Sequence, residues 1–346
     1  MPLLVEDYYA QGIARYAAGD YRGAVDHFSQ AIRLDSKDAR YYWRRGDAYD
    51  ELGLLKEALQ DYGEALRLDP TNPSYFMYRG LTLDKLGQSK EALVDYNRSL
   101  ELRPDDPSTL NNRGNTLDSL GRYEEALADY NRSLELRPDD SSTLDNRGNT
   151  LAHLGQYKEA LAGHNRSLEL RPNYPDTLNN RGTTLAGLGR YEEALADINR
   201  SLELRPDHAG VLHNRAITLT HLGKFSEALE DFDESLTIRP DHLSTRVDRA
   251  TLLARMGRTA EAEQEVDGVL AKKPEEADEL GSIAGFFAVT DRPDDALMYL
   301  KEAAEKDSAQ AVFARTDRNF ANLRDDPRFR ALAGEDEPPP APGASP

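Results

Sequence analysis

Cysteine is absent from the whole chain, so disulfide staples, thiolate metal sites and thiol nucleophiles are excluded. Long apolar runs are missing too. About 39% of the residues are hydrophobic, yet no stretch reaches the roughly 20 apolar residues that a membrane-spanning helix needs. No membrane partner is expected. The start, Met1-Pro2-Leu3-Leu4-Val5-Glu6-Asp7, has no basic region and meets acids at once. It therefore reads as lacking a secretory signal, and a cytoplasmic setting is expected. Basic residues are short as well: 43 Lys and Arg stand against 62 Asp and Glu, a net charge of -19. Binding to phosphates needs bases that displace counterions, so a nucleic-acid partner is not expected. The acid excess is densest over residues 277–310 and reads as a solvated surface.

Motifs that carry chemistry are equally scarce. No glycine-rich loop precedes a lysine, no Gly-x-Ser-x-Gly elbow occurs, and no two histidines lie four apart. The chain is expected not to be an enzyme, with no catalytic residue, no metal and no cofactor. His213 and His221 lie on one face of a single predicted helix and would need further ligands to hold a metal. His164 falls at a core position of its helix. The acid pairs Asp105-Asp106 and Asp139-Asp140 follow Arg-Pro at turns, where Asp forms turns or caps helices. Asn97, Asn131, Asn165 and Asn199 each open an Asn-Arg-Ser triplet, read as accidental matches to a glycosylation sequon.

What the sequence does have is a strict internal period. Asn112-Arg113-Gly114-Asn115-Thr116-Leu117 recurs at Asn146–Leu151 and, one residue changed, at Asn180–Leu185. Extended outward, the register gives nine units without insertion: 5–38, 39–72, 73–106, 107–140, 141–174, 175–208, 209–242, 243–276 and 277–310. Each reads as two helices. Gly53, Gly87, Gly121, Gly155, Gly189, Gly223 and Gly257 stand at unit position 15, where a helix stops and reverses. Ala58, Ala92, Ala126, Ala160, Ala194 and Ala228 stand at position 20, small enough for close helix contact. Tyr62, Tyr96, Tyr130, His164, Ile198 and Phe232 follow one turn later on the same face. Proline at position 32, from Pro70 to Pro274, ends the second helix.

This period and spacing resemble the tetratricopeptide repeat. The resemblance covers about nine-tenths of the chain. It implies an all-α, right-handed superhelical solenoid of nine helix-turn-helix repeats. The family usually has Leu at position 7, where this chain has Arg45, Arg79, Arg113, Arg147, Arg181, Arg215 and Arg249. Position 23 is acidic in six of those units, with Gly163 the exception, so half-buried ion pairs within each unit are expected. Residues 311–334 carry Phe320, Leu323, Phe329 and Leu332 and read as helices capping the last unit; Asp326-Pro327 reads as a helix start. Residues 335–346 form an acidic, proline-rich tail expected to be disordered.

By the same resemblance the first helices line a concave groove, and positions 5, 6 and 9 are among those that face a ligand. Position 6 holds Asn112, Asn146, Asn180 and Asn214 in four successive units, with Asn115 and Asn149 at position 9. An amide donates and accepts at once, which suits the backbone of an extended peptide. The arrangement resembles the asparagine ladder in the repeat region of O-linked N-acetylglucosamine transferase. Inheritance by recent duplication on a merely solvated face is the alternative, weakened by the seventh unit, which has changed many residues yet keeps Asn214. Towards the N-terminus, Trp43, Met77 and Tyr78 are expected to make the groove aromatic and apolar. A clamp for the acidic tails of chaperones is not expected: Asn115 and Asn146 match its amides, but Asn111 and Asn180 stand where bases belong. The expected function is an adaptor, scaffold or chaperone-like protein that binds a protein or peptide segment, extended or helical, in the groove. Alternatives are a regulatory or substrate-delivery subunit of a separate enzyme, or a self-assembling protein whose copies form homo-oligomers.

Overall fold

Helix boundaries in this chain follow its punctuation. The computed structural model describes residues 4–334, so the acidic tail lies outside the described residues. Among the described residues there is no strand, and the helices follow one another as antiparallel pairs. The chain divides after Pro138 into two units. The first contains α1 (Val5–Ala17) with α2 (Tyr21–Leu34), α3 (Ala39–Glu51) with α4 (Leu55–Leu68), α5 (Pro73–Lys85) with α6 (Ser89–Leu102), and α7 (Pro107–Ser119) with α8 (Tyr123–Leu136). The second contains α9 (Ser141–His153) with α10 (Tyr157–Leu170), α11 (Pro175–Gly187) with α12 (Tyr191–Leu204), and α13 (Ala209–His221) with α14 (Phe225–Ile238). It continues through α15 (Leu243–Arg255) with α16 (Thr259–Leu270) and α17 (Ala277–Val289) with α18 (Pro293–Lys306). It closes with α19 (Ala309–Thr316), a 3-10 turn over Arg318–Leu323, and α20 (Pro327–Ala333).

The turn inside each pair needs a left-handed residue. The glycines at position 15 have φ between 70° and 78°, where a Cβ would clash with the following carbonyl. The last pair has no glycine there, and Asp291 adopts φ 59° instead. Four first helices start at short acidic or amide caps, Asp38, Asn72, Asp106 and Asp140. Asp106 accepts from the Thr109 N–H at 2.9 Å, and Asp140 from those of Ser142 and Thr143 at 3.1 and 3.0 Å. In the acid pairs the second residue, Asp106 or Asp140, caps the helix, while the first, Asp105 or Asp139, pairs with Arg132 or Arg166.

Between the two helices of a pair, large meets absent. A Cβ on Gly46, Gly80 or Gly114 would lie 2.7–2.9 Å from the ring of Tyr62, Tyr96 or Tyr130. Those rings are essentially fully buried, and each contributes roughly 1.5–3 kcal/mol of hydrophobic stabilisation. His164 takes the same buried place against Gly148, as its core position in the sequence implies.

Six arginine–acid pairs join the helices of a pair: Arg45–Asp61, Arg79–Asp95, Arg113–Asp129, Arg181–Asp197, Arg215–Asp231 and Arg249–Glu265. Each is two-pronged, through Nε and Nη2, at 2.6–3.2 Å. The third guanidinium nitrogen reaches back to the preceding pair: Arg113 to Asn97, Arg181 to Asn165 and Arg215 to Asn199. The serine of the same Asn-Arg-Ser triplets donates to a first-helix carbonyl, as Ser99 does to Pro73 and Ser201 to Pro175. The triplets are thus structural braces, and their sequon reading has a physical replacement. Within each unit successive first helices also lie side by side, α1 to α7 in one and α9 to α17 in the other, and so form a continuous face.

Phe320, Leu323, Phe329 and Ala333 are buried in one core with Phe286, Phe287 and Leu300 of the last pair. Asp326 caps α20 by accepting from the Arg328 N–H at 2.8 Å, with Pro327 in the first turn. α19 begins at Ala309, just before the segment read from the sequence.

Candidate peptide-binding face

The sequence-selected residues all lie on first helices, but they divide between the two units. Trp43, Met77, Tyr78, Asn112 and Asn115 belong to the first, and Asn146, Asn149, Asn180 and Asn214 to the second.

In the first unit the aromatics are half-buried rather than displayed. Trp43 packs on the cluster of Ala39, Ala65, Leu66 and Tyr75. Its ring lies 5.4 Å from Tyr75 and 5.8 Å from Tyr78, and the Arg44 guanidinium covers it at 3.9 Å. Tyr78 stacks further on Tyr62 at 6.3 Å, and Met77 packs on the cluster of Leu83, Ala92 and Tyr96. Arg44 also pairs with Asp47 at 3.1 Å, and Tyr62 donates to the same carboxylate at 2.9 Å. Burial pushes the Asp47 carboxyl up to about 6. Asn115 accepts from the Tyr130 hydroxyl at 2.8 Å, so its carbonyl oxygen serves the core. Asn112 lies beside it, half-buried.

In the second unit the amides link successive first helices. Asn180 donates through Nδ2 to Asp145 at 3.1 Å, and Asn214 donates to Asn179 at 3.0 Å. Position 6 of one pair thus holds position 5 of the pair before it. Asp145 accepts from Asn180 on one oxygen and lies 2.9 Å from His164 Nδ1 with the other. Asn146 and Asn149 are half-buried on α9. The position-5 partners Asp145 and Asn179 set a hydrogen-bond register from pair to pair that no spacing within a repeat signals.

His213 and His221 have separate roles. His213 lies 2.9 Å from Thr245 Oγ1 and 3.4 Å from Asp248, while His221 stacks on Tyr191 at 4.7 Å. Among the described residues no three His, Cys, Asp or Glu side chains are placed to share a metal ion. Burial lowers His213 to about 4 and raises Asp248 to about 7, the latter helped by the nearby charge of Asp317.

Asp317 comes from the C-terminal segment, which passes across the first-helix ends of this unit. α19 touches α9, the first helix of the unit. Val312 meets Gly155 so closely that a Cβ there would lie 2.7 Å from its methyl, and Phe313 sits edge-on to His153 at 6.1 Å. Arg318 lies over the Tyr191 ring at 4.9 Å and donates to the His221 carbonyl at 3.2 Å. Arg255 donates to Asn319 at 2.7 Å. Sequence reasoning placed this segment only over the last pair; its reach to α9 carries no signal in the period.

Helix pairs repeated at a fixed interval, closed by glycine turns and faced by successive first helices, define a stacked-pair repeat protein. Family models described as tetratricopeptide repeat match residues 9–73 and 179–242, 74–106, 107–140, 139–207 and 219–282. They run from residue 9 to residue 282 without a gap, and the chain belongs to the tetratricopeptide repeat family. No curated protein matches the chain. Among solved structures, the chain is similar to one in the Cut9–Hcn1 hetero-tetramer of the APC/C, with 19% identity and a TM-score of 0.63. That match covers 73% of this chain and 49% of that one. It is also similar to a tetratricopeptide repeat protein from Parabacteroides merdae, with 20% identity, a TM-score of 0.56, and 72% and 99% of the two chains covered. A third is PilF of Pseudomonas aeruginosa, with 20% identity, a TM-score of 0.52, and 59% and 93% covered. These likenesses concern the fold. Among the described residues no helix is long and apolar enough to cross a membrane.

Proposed function

We propose that the chain is a protein-interaction scaffold, an adaptor or chaperone-like holder, whose first-helix face takes an extended or helical polypeptide segment. The observation that carries this reading is the state of Asn180 and Asn214. Each amide is held in place by one hydrogen bond to the preceding pair. Each has its Oδ1 and a second N–H uncommitted among the described residues. A side chain already oriented loses little freedom when it binds, so a preset donor and acceptor recurring from pair to pair suits a peptide backbone. In the first unit, the half-buried stack of Trp43 and Tyr78 beside Met77 offers apolar contact for side chains. The repeated helix pairs, nine over residues 5–310, serve as the framework of the face within each unit, and residues 311–334 as the closing cap of the second.

The test is affinity capture from the lysate of the source organism, read by mass spectrometry. Wild type is compared with a variant carrying Asn112, Asn146, Asn180 and Asn214→Ala, once circular dichroism shows that both fold. A partner retained only by wild type is the expected result. Equal capture by both would assign the amides to bracing the helices alone.

A further inference from the structure

We infer that the second unit carries a peptide-docking strip, formed by Gly155, Tyr157, Tyr191 and the His221 carbonyl, which the chain's own residues 312–319 occupy in cis. The ligand it fits is a helical turn with a branched aliphatic and an aromatic side chain in succession, followed just past the turn by an arginine. The inference deepens the scaffold reading and rests on it only in taking this unit as a holder of polypeptide.

Solenoid pairs normally touch only their neighbours. Here α19 reaches back to α9, with four complete pairs and the first helix's own partner lying between them in the chain, across the ends of the intervening first helices. The contacts are specific on both sides. Gly155 leaves room that any side chain would fill, and Val312 enters it. Phe313 meets the edge of His153. The Tyr157 hydroxyl lies near Thr316, and burial raises it above its ordinary range. Arg318 then meets two features at once: the face of Tyr191, itself backed by His221, and the terminal carbonyl of α13. A helix end has unpaired carbonyls and partial negative charge, so a guanidinium there completes the helix as well as the ring.

The same segment is built in two parts. Phe320, Leu323 and Phe329 are fully buried with α17 and α18, whereas Val312 and Phe313 are half-buried and Arg318 is exposed. The inner part belongs to the core. The outer part lies on a surface and makes its contacts without being enclosed by it. That is the arrangement of a tethered ligand, whose effective concentration is about millimolar. A separate segment of the same chemistry binds only when the tethered one yields.

The probe is a fluorescein-labelled peptide of residues 308–324, titrated by anisotropy into the full chain. Phe313→Ala with Arg318→Ala removes two of the three outer anchors and leaves the buried residues of the cap in place. The peptide is expected to bind this variant at least tenfold more tightly than wild type, and adding Tyr191→Ala is expected to abolish the gain. Equal affinity for wild type and variant, no binding to either, or indifference to Tyr191→Ala would overturn the inference. Melting curves establish that the variants fold. Should Phe313→Ala with Arg318→Ala fail to fold, Val312→Cys in the cysteine-free chain provides the readout. Its thiol should label slowly, and several-fold faster with excess peptide; an unchanged rate contradicts the inference. Neither measurement involves the asparagines. Failure here with lysate capture that still depends on the asparagines removes the docking strip and leaves the scaffold reading, and the converse result removes only the asparagine face.

Discussion

Arg215 shows how one side chain can hold three helices. Its Nε and Nη2 grip Asp231 at 2.6 Å, and its Nη1 reaches Asn199 on the preceding pair at 3.2 Å. The Asp231 carboxylate is only 7% exposed. Truncating the arginine strands that charge away from water, which costs more than a surface pair is worth. Arg215→Ala is expected to destabilise the chain by about 2 kcal/mol, between the values for exposed and fully buried pairs. Arg132→Ala, which breaks only exposed pairs with Asp105 and Glu135, should leave stability nearly unchanged. Urea midpoints of the two variants measure the contrast, and equal shifts would contradict it.

Asp248 gives a residue-scale prediction of the opposite kind. Its carboxyl is raised to about 7 by burial and by Asp317 and Asp278, against a smaller lowering by the nearby Ser282 hydroxyl, and His213 lies beside it. A raised acid binds its proton more tightly folded than unfolded. Its stabilising contribution is therefore complete below about pH 4 and is lost as pH rises through about 7. His213, lowered to about 4, works the other way: its contribution is lost as pH falls from about 6.5 towards 4. Over the shared window the two largely cancel. Asp248→Asn removes one side of the balance. The variant should gain stability relative to wild type as pH rises from about 4 to about 7, by at most roughly 1.4 kcal/mol per pH unit. Melting temperatures at pH 5 and pH 8 check this: a difference from wild type that is the same at both would refute it.

At the scale of the helix pair, the design is a first helix, a left-handed residue and a second helix. Position 15 was legible because a reversing helix needs a residue that accepts positive φ, and glycine marks it in pair after pair. In the last pair Asp291 takes φ 59°. Asp tolerates this better than most residues, yet still at a cost. Asp291→Gly is expected to stabilise the last pair by up to about 1 kcal/mol, seen as a higher melting temperature. No change would mean that the aspartate side chain offsets its own backbone strain. The arginine–acid pairs were legible for a related reason. Repetition supplied the same two positions many times, so partners on different helices could be recognised by their joint presence and by their joint absence from the first and last units. The asparagines were only half legible. Their place on the first helices followed from periodicity, but the bonds of Asn180 to Asp145 and Asn214 to Asn179 depend on how far one pair is rotated against the next. No spacing within a single repeat encodes that rotation. The half-burial of Trp43 under Arg44 escaped for the same reason.

For the molecule as a whole, local order propagates. Within each unit a pair packs a large side chain against a small one and leans on its neighbours, so the all-α helix-pair architecture was determined by the sequence alone: period, turn glycines, small-against-large contacts and internal ion pairs are all interactions between residues close in the chain. Composition determined as much about chemistry, since a chain without cysteine cannot build thiol chemistry whatever its fold. Tertiary structure alone decided which amides bond to a neighbouring first helix and which aromatics are covered. It alone carried the C-terminal segment back to Gly155 and Tyr191. These outcomes depend on small rotations summed over successive pairs. A repeating sequence specifies each step, but only the assembled stack shows where the steps lead.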